Sequence, residues 1–350
     1  MVIAFNRKLV LLLLMSGIYT PVFAGAFSFA DLLKEPATIT HSSGYNGEGG
    51  KTTVSVCIAS DSESKTEMAI AIQNSIDHWN RLEPMHGNSE MSPQSGVPSD
   101  SVDAESVLLH EIGHCIGLAH PNLASESGLE GEQRRYARAL PGGGRDDGYT
   151  LDAGSDGVIA TANDKRGTDV NLHWFRKSDN DPFALGEIVD ASTYSVDLND
   201  LPSGHDFPAV AGAQVSSSRN LERTEAVMHQ GIYYGEKRVG LGHDDVAMLR
   251  LAMAGTDQVQ GSESSYEVEL VYEGVSDDCD ITVKMGGTSF AMCSASGTQV
   301  APNHMKVTQG TIKMASASNI NWHFNDTLNN DSPPEDDNDR IFGSGFSGSD

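Results

Sequence analysis

The pattern of apolar and polar positions divides the chain into a periodic first third, a long patternless middle and a strand-rich end. In "TTVSVCIA" Val54, Val56 and Ile58 alternate, and the β-branched content predicts a strand over 52–59. Ala69, Ile72, Ile76, Trp79 and Leu82 then recur at helical spacing, which predicts a helix closed by Pro84. Residues 85–102 are rich in Gly, Pro and Ser and read as loop. Asp103 is a good N-cap for a second helix, with Glu105 in its first turn and Leu109, Ile112, Ile116 and Ala119 as its apolar stripe. After Pro121 the helical period is lost for roughly a hundred residues, and "NLHWF" and "STYSVDL" offer short strand candidates. The period returns in "HDDVAMLRLAMAG", a helix with Asp244 or Asp245 near its start. From Thr256 onward "YEVELVYEG", "DITVKM", "TSFAMCSA", "HMKVTQG" and "TIKMASA" alternate like strands of a small β-unit. The tail from Asn325 is polar and acidic and reads as disordered.

The first 26 residues carry a different pattern. Arg7 and Lys8 precede an apolar run over 9–14, and small residues follow at Val22, Ala24 and Ala26. That is the form of a secretory signal peptide over 1–26, cleaved after Ala24 or Ala26. The apolar run is too short to span a bilayer and no later segment is long enough, so no stable membrane insertion is expected. No cysteine follows the cleavage region, which argues against a lipid anchor. The mature chain is expected to be secreted or periplasmic, and a monomer.

Charge narrows the partners. The 350 residues hold 23 Lys and Arg against 49 Asp and Glu, a net of −26. Without Arg7 and Lys8 the balance is 21 against 49, a net of −28. Such an excess argues against nucleic acid and anionic membrane surfaces, and it supplies oxygen ligands for divalent cations. Four cysteines in an exported chain, Cys57, Cys115, Cys279 and Cys293, point to disulfides. Cys279 and Cys293 flank two short apolar runs joined at Gly286-Gly287, and a hairpin there would bring them together. This favours that pair and leaves Cys57 to Cys115, although Cys57 points away from the face of Val54, Val56 and Ile58.

The chemistry concentrates in residues 110–120, "HEIGHCIGLAH". His110 and His114 are four apart on a helix, so their imidazoles leave one face a turn apart and can bind one ion. Glu111, beside the first ligand, can reach a water on that ion without binding the ion itself. Zinc lowers the pKa of such a water, and a glutamate takes its proton as the water attacks a carbonyl. A third ligand requires a sharp turn, which Gly117 permits, and His120 then returns to complete the site. Five fixed positions arise by chance in on the order of one in a hundred thousand chains of this length, which weighs heavily against a merely histidine-rich surface helix.

This stretch resembles the long zinc signature of the metzincin metallopeptidases. That family also has a methionine turn beneath the metal, for which "EAVMHQGIYYG" supplies Met228. The following "LGHDDVAMLRLAMAG" is similar to the C-terminal helix of the matrixin-like branch, and the strand and helix over 52–84 fit the family's N-terminal half. The resemblance implies one catalytic zinc at His110, His114 and His120, with Glu111 as general base and later general acid. It implies Met228 as a hydrophobic floor, and Asp244 or Asp245 as a structural tie for the last helix. Gln230, Gly231 and Ile232 would line the pocket for the side chain after the cut, the S1′ wall. Members with an extra tyrosine ligand carry it two residues after the methionine; Gln230 stands there, so Tyr233 and Tyr234 are not assigned as ligands. In the family the segment before the zinc helix supplies the edge strand that pairs with substrate. Here that segment is short.

The expected class is α+β: a metzincin-like catalytic domain over 27–255, with a twisted mixed sheet, an active-site helix and a C-terminal helix. An insertion over about 121–221 interrupts it, a small all-β unit follows over 256–324, and an acidic tail over 325–350 ends the chain. The expected function is a secreted zinc-dependent endopeptidase acting on proteins or peptides. Within the insertion Asp152, Asp156 and Asp164 crowd a glycine-rich loop, which suits structural calcium or is simply a solvated acidic loop. The alternative is a non-catalytic, calcium-dependent surface or binding protein on a metzincin scaffold. Intact Glu111 argues against it, because a scaffold needs the histidines but not the base. A zinc hydrolase of non-peptide amides is a further alternative.

Overall fold

The computed structural model describes residues 27–30, 37–120, 174–178, 183–200, 216, 220–229 and 231–329. The leader over 1–26, Asp152, Asp156 and Asp164, Gln230, and the tail beyond 329 lie outside these residues. The ordered chain begins with β1 (Ile39–His41) and β2 (Gly50–Ile58), then α1 (Lys65–Arg81). Two short strands, β3 (Ser89–Met91) and β4 (Val102–Asp103), lead into α2 (Ala104–Cys115). Strands β5 (Phe175–Arg176) and β6 (Tyr194–Ser195) pair antiparallel with each other, so both short candidates in the patternless middle are strands. Next come β7 (Glu236–Arg238), which pairs with β3, and α3 (His243–Met253). Strands β8 (Tyr266–Val275), β9 (Ile281–Gly287), β10 (Ala291–Ala301) and β11 (His304–Ala315) follow. The last strand, β12 (Trp322–His323), pairs with β4.

The C-terminal strands are not a separate unit, which corrects the expected division at residue 256. They complete one six-stranded sheet with β1 and β2. Strand β11 runs through its middle, pairing antiparallel with β10 on one side. On its other side it pairs parallel with β1 and then with β9. Strand β2 pairs parallel with β9 and with β8. The sheet is therefore parallel except for the edge strand β10. "HMKVTQG" and "TIKMASA", which read as two strands, form the single long strand β11.

Burial explains why these segments associate. Val54, Val56 and Ile58 of β2, Ile281 and Val283 of β9 and Ile312 and Met314 of β11 are fully buried. The predicted helical stripe of α1 faces them through Ile72, Ile76 and Trp79, joined by Met68 and Ala71. Helix α1 ends at Leu82, whose φ of 49° breaks the helix two residues before Pro84. Helix α2 ends earlier than its stripe suggests, at Cys115, and Ile116, Leu118 and Ala119 are buried in the turn beyond it.

The disulfide pairing also differs from expectation. Cys57 bonds Cys279 and Cys115 bonds Cys293, with Cα–Cα separations of 5.9 and 5.8 Å. The predicted hairpin of β9 and β10 does not form, because β11 inserts between them and pairs with both. Cys293 lies opposite Ile312, which lies opposite Val283 on its other side. Strands two places apart are about 10 Å apart, beyond the reach of a disulfide. Among the described residues no helix is long and apolar enough to cross a membrane.

The sheet also buries a polar pair. His41 Nε2 lies 2.9 Å from His304 Nδ1, and His41 Nδ1 lies 3.2 Å from the Tyr266 hydroxyl. Burial, reinforced by repulsion from His304, lowers the His41 pKa from 6.5 to about 3. The folded protein therefore keeps His41 neutral where the unfolded chain would protonate it. Stability from this group is intact above 6.5 and is lost as pH falls from there toward 3. At pH 5 the expected loss is about 2 kcal/mol. Denaturant unfolding at pH 7.5 and 5.0 checks this, under matched metal conditions. The wild type should lose that amount beyond a His41→Gln variant, and equal losses would refute the assignment.

Candidate metal centre and its surroundings

Helix α2 starts at an N-cap that the sequence specifies. The Asp103 carboxylate accepts the Ser106 N–H at 2.9 Å and the Ser106 hydroxyl at 2.5 Å. Glu105 is buried behind it and accepts from Asn74 Nδ2 at 2.7 Å. From this anchored start, His110, Glu111 and His114 project from successive turns. Gly117 adopts a φ of 112° beyond the helix end, and Thr40 crowds it from the sheet. The Leu118 N–H returns to the Gly113 carbonyl at 3.0 Å, closing the turn that brings back His120. Phe27 and Ser28 brace this turn from outside: the Ser28 N–H donates to Gly117 O and its hydroxyl to Leu118 O, both at 2.9 Å.

The three histidines converge as their spacing requires. His120 Nε2 lies 3.1 Å from His110 Nε2 and 2.8 Å from His114 Nε2. On the opposite side of each ring, His110 Nδ1 meets Val227 O at 2.7 Å and His114 Nδ1 meets Leu118 O at 2.9 Å. A carbonyl only accepts, so each Nδ1 carries the proton and each Nε2 presents a bare lone pair. Burial is the first cause holding all three rings neutral: His114 and His120 are lowered to about 3, and His110 lies well below its ordinary value. His110 and His114 also feel their neighbouring imidazoles, and His120 feels Arg238. The bare Nε2 lone pairs of His110 and His114 both face His120 Nε2, which brings three imidazole nitrogens to one point. The donor set therefore fits a metal ion with three imidazole ligands and an open fourth position.

Glu111 stays close by, 5% exposed. Its Oε2 accepts the backbone N–H of Cys293, on the edge strand β10, at 2.6 Å. Burial pushes its carboxyl up to about 7, opposed by that hydrogen bond. Met228 is buried beneath the helix, with its Sδ directly against Gly113, between the two helical ligands. A β-carbon at Gly113 would collide with Met228 Sδ and lie 2.9 Å from Trp79 Cζ2. Gly113→Ala should therefore cost about 1–3 kcal/mol and weaken metal binding by displacing the flanking histidines. Thermal unfolding and zinc competition check this; the companion Gly113→Ala/Met228→Ala protein should recover, and a single variant as stable as wild type would disprove the contact.

Two residues hold the methionine turn. The Asp245 carboxylate, not that of Asp244, accepts the N–H groups of Val227, Met228 and Gly242 at 2.7, 3.0 and 2.7 Å. Arg238 grips the same loop by its carbonyls, donating to Val227 O and Gly231 O at 2.6 Å each. Val227 O thus receives both Arg238 and the metal-side ring of His110. Arg238 is fully buried near Glu225 and Glu236, which also pair with Arg223 at 3.8 and 3.4 Å. Burial raises Glu225, and its hydrogen bond to Glu236 raises it further, so Glu225 holds a proton. For Glu236 that hydrogen bond and the Arg238 charge outweigh burial, and it stays ionised. Sequence reasoning found Asp245 as one of two options but missed Arg238, Glu225, Glu236 and Ser28. Nothing in their spacing marks them.

Gly231 lies on this loop, its carbonyl accepting from Arg238, and Ile232 packs partly buried against the core. Tyr233 and Tyr234 are exposed. A second cluster of metal-type side chains, Cys57, Glu273 and Cys279, has both cysteines in a disulfide.

No protein-family model, curated protein or solved structure matches this chain. The assignment of the site rests on its own geometry.

Proposed function

We propose that this protein is a zinc-dependent endopeptidase with Glu111 as its general base. The observation that carries the reading is the convergence of three neutral imidazole Nε2 atoms beside a buried, anchored carboxylate. His110, His114 and His120 would hold the ion, and the imidazole set with one open position suits zinc. Zinc bound there supplies a Lewis acid that polarises a carbonyl and makes water acidic. Glu111 has one carboxylate oxygen fixed by the Cys293 N–H, which leaves the other to accept a proton from the attacking water. The same oxygen returns that proton to the leaving amine. Burial around Glu111 excludes bulk water and keeps this exchange local.

Strand β10 supports a peptide as substrate. Its Cys293 N–H points away from β11 and toward Glu111, so the free edge of an antiparallel strand borders the site. An extended peptide pairs naturally with such an edge. The role that the family gives to a segment before the zinc helix would fall here to a strand near the C-terminal end. The anchored Glu111 disfavours the scaffold alternative.

The test is peptide-library cleavage by the mature protein with one equivalent of zinc, after chelation, and after zinc is restored. Cleavage is expected in the first and third samples. Absence of cleavage from every sample, with zinc bound, would refute the reading.

A further inference from the structure

We propose that the Cys115–Cys293 disulfide positions Glu111 for catalysis and that its reduction switches the site off. The inference rests on the peptidase reading above and adds its regulation. Glu111 and Cys115 are four residues apart on α2, so their side chains share one face a turn apart. Both reach the same residue of β10. Cys115 bonds the Cys293 sulfur, and Glu111 accepts the Cys293 N–H at 2.6 Å. The side chain and the backbone of Cys293 thus form a two-point clamp between the zinc-motif helix and the edge strand.

The clamp fixes the outer side of β10, whose inner side pairs with β11 along nearly its whole length. Among the described residues it pairs with a strand on that side only, and its register with β11 shifts at Ser296/Gly297 and again at Gln299/Ala301. Ser294, Ser296, Gly297, Thr298 and Gln299 are exposed, so the strand buries little apolar surface of its own. Phe29 packs over Gly297, but at the far side of the bulge from Cys293. An edge strand with few buried contacts opens readily unless cross-linked. Once β10 moves, Glu111 loses the hydrogen bond that sets its carboxylate, while His110 and His114 keep their own anchors at Val227 O and Leu118 O. Metal binding and catalytic competence are thereby separable.

Cys115 is fully buried but Cys293 is only half-buried, so a reductant reaches this bond from the β10 side, whereas Cys57 is fully buried and Cys279 nearly so. The Cys57–Cys279 bond joins β2 to the loop before β9, away from α2, and serves as an internal control. Reduction by a phosphine adds two electrons and two protons to the disulfide. The phosphorus takes the oxygen of water, giving two thiols and the phosphine oxide. No other co-reactant is needed, and a phosphine avoids the zinc binding of thiol reductants.

The experiment compares oxidised wild type, Cys57→Ala/Cys279→Ala and Cys115→Ala/Cys293→Ala, each before and after phosphine at saturating zinc. Phosphine should lower kcat of the first two proteins by about 10–100-fold, with KM moving less. The Cys115→Ala/Cys293→Ala protein should start at the lowered kcat and be insensitive to phosphine. Zinc affinity, by chelator competition, should stay within a few-fold throughout. Independently of turnover, the backbone amides of β10 in the metal-free protein should exchange at least about tenfold faster after reduction, with those of α2 unchanged. Unchanged kcat and unchanged exchange would overturn the inference. If the Cys115→Ala/Cys293→Ala protein fails to fold, phosphine treatment of folded Cys57→Ala/Cys279→Ala decides the same question. Oxidised wild type that binds zinc but cleaves no peptide would instead refute the peptidase reading, and the inference with it.

Discussion

Glu111→Gln protein binds zinc as tightly as wild type and cleaves peptides about 10²–10⁴-fold more slowly, with the loss in kcat. The glutamine oxygen can still accept the Cys293 N–H, so the side chain stays in place. The amide cannot take up a proton, so the base is lost while the geometry is retained. His110 and His114 keep their own anchors at Val227 O and Leu118 O, and neither bond involves Glu111. Zinc competition and steady-state kinetics on one peptide measure the two halves of this result. Activity within a few-fold of wild type would sink the assignment of Glu111 as base.

Arg238→Met should lower stability by about 1–3 kcal/mol, because it leaves buried loop carbonyls without their donor and removes one of the two arginines near Glu236. Glu225 and Glu236 are almost completely inaccessible, and they lie between Arg238 and Arg223, whose Nη2 is 3.8 and 3.4 Å from them. The same change strips donors from Val227 O and Gly231 O, which loosens the loop carrying Met228. Restoring neutrality should rescue part of the loss: Arg238→Met/Glu236→Gln is expected to be more stable than Arg238→Met alone. A double-mutant cycle from denaturant unfolding isolates the coupling. A single-variant loss below about 1 kcal/mol, or no recovery in the double variant, would show that the charges are not balanced as described.

Much of the site was legible in residues 110–120 because its geometry is local. A spacing of four on a helix places two imidazoles together whatever surrounds them, and a glycine at φ 112° turns the chain by its own conformational freedom. The strand over 52–59, the first helix, the capped start of α2 and the helix after Met228 were likewise readable. Each rests on periodicity or on contacts within a few residues. Met228 and Asp245 came through resemblance; the structure sets Met228 against Gly113 and has Asp245 accept the Met228 N–H.

Where the reading failed, neighbours distant in sequence decided the outcome. Alternation told that β9 and β10 were strands, but not that β11 would lie between them. With that one insertion the predicted Cys279–Cys293 bridge became impossible and Cys293 moved to Cys115. The expected C-terminal unit dissolved into the main sheet for the same reason.

The sequence by itself determined the three imidazoles, the carboxylate beside them and the turn that brings back His120, because helical pitch and backbone sterics operate within a dozen residues. Only the tertiary structure decided what holds them. The amide that anchors Glu111 lies 182 residues away on an edge strand. The cation beneath the methionine turn is a buried arginine, and burial rather than spacing raises Glu225, Asp245 and Glu111. Such partners are chosen by which surfaces pack together, and no period along the chain records that choice.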